Sequence, residues 1–434
     1  MIFTVKGWSA GSLTQGGCTM AGEKMLMGLD IGTSRTRAVI GSVNRDGQLM
    51  VEGICEHASE GVRAGSIINI EQTLKTIKTV INEAELQAGA EVNEVIIGIG
   101  GENIIGYPST GVVGISSKDQ EIKREDIFRS LEVARAFELP QDREILHTLV
   151  QEFQIDGQSG VKDPIDMLAH RLESKVLIVT ASMQVAQLHR KSIQRAGLGV
   201  QRLVLQSLAD SEVVLSAEER EMGTILINIG SGVTDMIAYA SGAPVYTGGI
   251  NLGGEAVTAD IAYILNKSRA TAEQIKVESG HSYVPSVGSE EMVLIPQVGG
   301  LPPIKMPKRE LSKVIEPRMA EIFSRLKSDL EKERPGSSYG GGVVLVGGGA
   351  LLSGVTELAS EIFHLPARMG FPEAIGGLER SYISPDYTTV LGLLKSEARK
   401  VRESGSTRST HTKRRPRKEG RFAPILRGFF RTLF

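Results

Sequence analysis

The strongest constraint on this chain is a pattern that occurs twice. MLMGLDIGTS, starting at Met25, runs an apolar strand into a turn of glycine and hydroxyl residues. GTILINIGSGVTD, starting at Gly223, does the same in the other half of the chain. A second strand follows each turn (RAVIGSV in the first case, MIAYA in the second), then a further turn and a third strand. Asp46-Gly47 is the hairpin signal between the second and third strands of the first copy. A three-stranded unit cannot bury its apolar face alone. Two copies therefore predict two duplicated α/β halves, each completed by helices and further strands.

The rest of the chain fits that frame. A helix is expected from Ile70 to Ala88, with Leu74, Ile77, Ile81 and Leu86 near helical spacing, followed by the buried strand VNEVIIGIGG. Residues 104–181 break the alternation as strand, helix, strand, strand, an inserted unit of small-domain size. Its helix is expected over EIKREDIFRSLEVARAF, with Ile122, Ile127, Leu131, Val133 and Ala134 inward. A helix from Met183 to Ala196 stops at Gly197. In the second half come a helix at EAVTADIAYIL, a polar stretch from Pro285 to Arg309, a long helix from Lys313 to Lys332, and a last helix at PDYTTVLGLLKSEARK. Residues 1–24 show no clear period and read as a disordered extension or an over-read start.

A length of 434 residues allows two to four domains. Aromatics at 5% argue against a base-stacking nucleic-acid platform. Two cysteines, Cys18 and Cys55, exclude a disulfide scaffold and a Cys-rich zinc site. No run of 18 apolar residues exists, and the N-terminus lacks the pattern of a signal peptide. The seven histidines are scattered, with no His-Glu-x-x-His and no Gly-x-Ser-x-Gly elbow.

The net charge of −2 conceals an asymmetry. From Arg399 onward there are twelve Lys/Arg against two Glu, a tail of +10 on a body of −12. Residues 399–421 read as a basic flexible linker. After it, Phe422, Ile425, Leu426, Phe429, Phe430, Leu433 and Phe434 fall on one helical stripe flanked by arginines. A helix of about 11 residues is marginal in water and needs a surface to fold on. The expected surface is an anionic membrane, with residues 422–434 as an in-plane anchor. The run KRRPRKEGR would add about 1 kcal/mol per basic residue near that surface. Docking on the body itself is the alternative; a nucleic-acid partner is not expected.

The two turns carry the chemistry. Glycines and hydroxyls in a hairpin let backbone N–H groups aim at an anion. An acidic residue at the strand end, Asp30, can hold hydrated Mg²⁺. A third glycine run, Gly347-Gly348-Gly349, lies between a strand and a helix and permits close approach to a flat ligand.

These three motifs resemble phosphate-1, phosphate-2 and adenosine of the actin/Hsp70/sugar-kinase ATPase superfamily. The resemblance implies an actin-like ATPase fold with a nucleotide site in the cleft between halves, and ATP with Mg²⁺ as cofactors. Gly32, Thr33, Ser34 and Arg37 would face the phosphates from the first half, and Gly230, Ser231 and Gly232 from the second. Gly253 and Gly254 would pass near ribose and phosphates, Glu273 and Lys276 near ribose and adenine, and Gly347, Gly348 and Gly349 along the adenosine. Asp30 would hold Mg²⁺ through water, and Gln206 would position water. The superfamily usually has Asp where this chain has Asn228, which implies ATP binding with weak or absent hydrolysis.

The insert, the runs DIAYIL, AEQIKVESG and KVIEPRMAEIF, and the amphipathic end resemble the bacterial FtsA family of cell-division proteins. That resemblance divides the chain into subdomain 1A (25–103 and 182–215), the inserted 1C (104–181), 2A (216–250 and 333–398) and 2B (251–332). It implies a protein on the cytoplasmic face of the membrane at the septum that tethers FtsZ filaments, self-associates into filaments and meets later division proteins. Arg318, within Lys313–Phe323, would hold the FtsZ C-terminal peptide through its forked guanidinium. A type IV pilus assembly ATP-binding protein and a small-molecule kinase of the same superfamily are the alternatives.

Overall fold

The computed structural model describes residues 24–44, 47–297 and 301–409, with side chains as far as Arg402. The expected N-terminal extension, the basic run at 413–421 and the membrane helix at 422–434 lie outside the described residues.

The first half opens with β1 (Lys24–Ile31), β2 (Arg35–Val43) and β3 (Leu49–Ala58), an antiparallel meander. A two-strand loop, β4 (Val62–Arg63) and β5 (Ser66–Ile67), leads into α1 (Ile70–Ala88) and β6 (Glu94–Ile99). The insert is β7 (Ile104–Gly114), α2 (Arg124–Arg135), β8 (Arg143–Ile155), β9 (Gln158–Val161) and β10 (Arg171–Ser182). Then come α3 (Met183–Ala196), β11 (Gly199–Leu205), α4 (Gln206–Val214) and α5 (Ala217–Met222). The second half contains β12 (Ile225–Ile229), β13 (Thr234–Ala240), β14 (Ala243–Ile250), α6 (Gly254–Ile264) and α7 (Arg269–Ser279). It continues with β15 (Met292–Ile295), β16 (Ile304–Pro307), α8 (Lys308–Glu333), β17 (Val343–Val346), α9 (Val355–Phe363), β18 (Ala367–Met369) and α10 (Thr388–Ser409).

The duplication is visible in the sheets. The first sheet has the order β11-β6-β1-β2-β3, and the second β18-β17-β12-β13-β14. In each, a meander runs antiparallel from the central strand, and two parallel strands complete the other side. Parallel strands need covering on both faces. α1 and α3 cover one face of the first sheet, α4 and α10 the other.

The insert carries its own core of Val113, Ile122, Leu131, Phe153, Leu172 and Val176 beneath α2. Its sheet, β7-β10-β8-β9, has one more short strand than the sequence suggests. α2 is shorter than expected because the Asp126 carboxylate accepts from the Lys123 N–H and starts the helix there. Val133 points outward, and Ile122 is buried just ahead of the helix. In α1, whose bounds match the expectation, Leu86 is 81% exposed while Val80 and Ala84 are buried. Leu86 lies five residues after Ile81, about 140° around the helix from it.

The end of the chain departs most from the sequence reading, which assigns residues 388–398 to the second half and 399 onward to a linker. Instead α10 runs on to Ser409 and packs Val390, Leu391, Leu394 and Ala398 against Leu26, Val39 and Val43 of the first sheet. Arg399 pairs with Glu212 at 3.0 Å.

Candidate functional site

A cleft of about 330 Å³ opens between the two sheets at their turns. Asp30, Gly32, Thr33, Ser34, Arg37, Gln206, Asn228, Gly230, Ser231, Gly232, Gly254, Glu273, Lys276 and Gly347 to Gly349 all line it. Gly253 does not. It is the residue before α6, and a Cβ there would come within 2.5 Å of Gly230 O. Its smallness lets the N-terminus of α6 approach the second turn, where Gly254 N–H donates to Gly230 O at 2.9 Å.

The two turns are built alike. Gly32 N–H donates to Arg35 O at 3.0 Å, and Gly230 N–H to Val233 O at 2.9 Å. They meet across the cleft, so that a Cβ on Gly232 would reach 2.6 Å from Thr33 Oγ1. Thr33 Oγ1 in turn accepts from Gly65 N–H at 3.0 Å. In the third run Gly347 has φ +83°, which a side chain would strain, and a Cβ there would fall 2.3 Å from Asn228 Oδ1 and 2.6 Å from Ile229 O. A Cβ on Gly348 would meet nothing within 4 Å, so this residue faces open cleft. Two glycine-hydroxyl turns, the positive end of α6 behind the second of them and an unfilled glycine surface together form a cradle for an anionic, partly flat ligand.

The electrostatics differ between the halves. The Asp30 carboxylate is buried and accepts from Gln206 Nε2 at 2.7 Å. Burial pushes its pKa up, against the opposing pull of Arg37 and Gln206. Asn228 Nδ2 donates to Asp210 Oδ2 at 2.7 Å and to Thr389 Oγ1 at 3.1 Å. Asp210 is fully buried and also accepts from Thr388 and Thr389. Burial pushes its pKa up to about 7 despite those donors, with Asp30 adding repulsion. Asp235 lines the cleft and takes the Gly101 N–H at 2.6 Å. Burial raises it to about 7 as well, with Asp30 again repelling. Two desolvated carboxylates facing one cleft, Asp30 and Asp235, suit a hard divalent cation with oxygen ligands.

Other expected residues are more committed than the sequence suggests. Arg37 reaches the cleft, but its Nε donates to Glu56 at 3.0 Å and its Nη2 to Asp386 at 2.7 Å, with Tyr387 stacked 4.6 Å away. Lys276 Nζ donates to Glu273 at 2.8 Å, Thr258 at 2.9 Å and Gly254 O at 3.0 Å. Arg318 does not offer a free fork. Its guanidinium grips Asp260 through Nε (2.7 Å) and Nη2 (3.1 Å) and Glu321 through Nη1 (2.5 Å).

Asp210, Asp386 and Thr389 do not stand out in the sequence. Neither does His147, which comes from the insert. Burial holds its pKa down at about 3, so it stays neutral, and its Nε2 accepts from Leu205 N–H just before Gln206. The insert thus braces the corner that presents Gln206. Asp235 does carry a signal. It follows Asn228 by the same interval as Arg37 follows Asp30, and the two pairs stand directly opposite in their hairpins.

Comparison with known proteins agrees with the architecture. A profile of the family described as Cell division protein FtsA matches residues 225–392, and one described as SHS2 domain inserted in FTSA matches residues 101–180. The cell division protein FtsA of Borreliella burgdorferi is 40% identical over 94% of this chain and 98% of its own length. That of Pseudomonas aeruginosa is 38% identical over 91% and 95%, and that of Escherichia coli K12 33% over 86% and 90%. Among solved structures, a PilM-PilN type IV pilus biogenesis complex superposes with TM-score 0.61 at 18% identity, covering 85% of this chain and 97% of that one. MreB5 of Spiroplasma citri bound to ADP superposes with TM-score 0.53 at 14% identity over 88% and 98%. At those identities the solved structures share the actin-like fold alone, whereas the sequence relatives share nearly the full length, and the chain belongs to the FtsA family of cell-division proteins.

Proposed function

We propose that this cell-division protein binds ATP with Mg²⁺ in the cleft and tethers FtsZ filaments to the cytoplasmic face of the membrane at the septum. The observation that carries the nucleotide reading is the pair of matched turns closing on one cleft, with Gly348 open beside them. The MreB5 structures bound to ADP and AMPPNP share this fold.

The turns at Thr33–Ser34 and Ser231–Gly232 bind the phosphates, with the dipole of α6 behind the second turn. Gly348 and the apolar side chains of Val277, Leu351 and Leu352 line the part of the cleft that takes the base. Asp30 holds hydrated Mg²⁺ through water, and the ion supplies charge neutralisation on the phosphates. Gln206 orients water beside Asp30. Asp235, near neutrality and fixed by Gly101, can take a proton at physiological pH. Turnover is weak, because the usual charge at position 228 is an amide engaged with Asp210.

FtsZ capture is assigned to the exposed face of α8 around Lys313 and Arg318. An acidic peptide there must displace Asp260 and Glu321 from Arg318, which favours an exchange of partners over simple docking. Filaments of the protein along the membrane and contacts with later division proteins complete the proposal.

Among the described residues no helix is long and apolar enough to cross a membrane. Attachment is assigned to residues 422–434, where seven large apolar side chains each gain about 1.5 kcal/mol or more on burial. Ordering costs about 1 kcal/mol per residue, so one copy binds weakly and polymerisation multiplies the effect. The test is co-sedimentation with anionic liposomes. The full chain should pellet, while a chain ending at Ser409, which keeps α10 whole, and the Phe430→Glu variant should stay in solution at any salt. Retention of both on liposomes would refute the anchor.

A further inference from the structure

Cys55, His57 and Glu83 converge on the α1 side of the first sheet, and none of them lines the cleft. Cys55 and His57 are alternate residues of β3 and so share one face. Glu83 comes from α1, which packs on that face. Gly53, on the same face of β3, makes this possible, since a Cβ there would sit 2.4 Å from Ala84 O and push the helix away. As a result one carboxylate oxygen of Glu83 meets both neighbours: Sγ of Cys55 donates to Oε2 at 2.9 Å, and Nε2 of His57 lies 3.0 Å from it. The three ligand atoms all fall within 4.8 Å of one another.

A thiolate, an imidazole and a carboxylate are the ligand set of zinc, at about 2.3 Å for sulfur and about 2.0–2.2 Å for nitrogen and oxygen. The spacing needs only rotamer adjustments of His57 and Glu83, whose side chains are about half exposed, and that exposure also gives the ion a way in. The protons that Glu83 now gathers are what a single cation would replace. The sulfur disfavours Mg²⁺ and Ca²⁺.

We propose that Cys55, His57 and Glu83 form a three-ligand Zn²⁺ site that clamps α1 to the edge strand β3, with the fourth position taken by water. On binding, the Cys55 S–H bond breaks, its proton leaves to solvent, and the sulfur lone pair forms the metal bond. The Cys55 thiol donates to Glu83 Oε2 at 2.9 Å, so its proton is present before the metal arrives. Binding near neutrality therefore releases it.

The test uses untagged full chain stripped of metal and titrated with Co²⁺ as a spectroscopic stand-in, then with Zn²⁺. One Co²⁺ per chain should bind with a sulfur-to-cobalt charge-transfer band that Zn²⁺ abolishes. Calorimetry in two buffers of different ionisation enthalpy should count at least one proton released per Zn²⁺. Cys55→Ser should lose the band. Glu83→Gln, a surface change that preserves the fold, should weaken Zn²⁺ at least tenfold. Cys18→Ser should bind as the parent chain does. At equal Zn²⁺, Tm should rise more in the parent than in Glu83→Gln. A band that survives Cys55→Ser, or affinity unchanged in Glu83→Gln, overturns the site.

Discussion

The two hairpins that form the cleft have the same backbone and opposite charge design. In the first, Asp30 stands across from Arg37, and in the second Asn228 stands across from Asp235. The first pair is formally neutral, and the second carries one negative charge from the residue facing the amide. Each hairpin is then held from outside by acidic side chains. Arg37 is held by Glu56 and Asp386, and Asn228 by the buried Asp210. The two halves therefore share the turn, while the acid stands on the first strand of one hairpin and on the second strand of the other. Position 228 carries an amide where position 30 carries an acid, and the second hairpin sets a carboxylate at the opposing position, 235.

The sharpest way to break the comparison is to make the halves alike. Asn228→Asp would set a second carboxylate against Asp210, which now accepts from the amide at 2.7 Å. An uncompensated buried charge costs about 3–5 kcal/mol. We expect that loss in denaturant unfolding at alkaline pH, with partial recovery in acid, where Asp210 is protonated and can donate. A variant as stable as the parent across pH would show that Asp210 does not depend on its amide partner.

A smaller effect sharpens the assignment of Asp235. Its folded pKa lies near 7, above the ordinary carboxyl value of 3.8. The native state then holds a proton that the unfolded chain releases, so this contribution is complete below the unfolded value and fades as pH rises toward 7. The ligand-free chain should lose about 1 kcal/mol or less per pH unit from about pH 5 to about pH 7 through this group. Asp235→Asn should flatten that slope and lower any ATP turnover. An unchanged slope would exclude Asp235 as the titrating group.

How much is legible in the sequence depends on the range of the interaction. The turns at Asp30–Ser34 and Asn228–Gly232 and the glycine run at 347–349 are readable because each is local and punctuated by glycine. The roles of Asp210, Asp386, Thr389 and His147 are not. Each reaches the site from a distant segment, and no short-range period marks a residue whose partner lies in another element. The same holds for α10, since its apolar face predicts a helix but not which sheet it covers. Leu86 and Val133 show the opposite failure. Both are apolar residues in helices that the structure turns to solvent, because their spacing from Ile81 and Leu131 sets them off the buried stripe. Asp235 lies between these cases, recoverable by aligning the chain with itself at Arg37.

The central claim is that both matched turns, with Gly348 beside them, hold one nucleotide. Isothermal titration with Mg-ATP tests it on the parent chain and on Gly348→Asp, whose Cβ would meet no protein atom within 4 Å. The expected result is one site per chain in the parent and an affinity at least tenfold lower in the variant, about 1.4 kcal/mol or more, with Tm preserved. Equal affinity in both chains would contradict the claim.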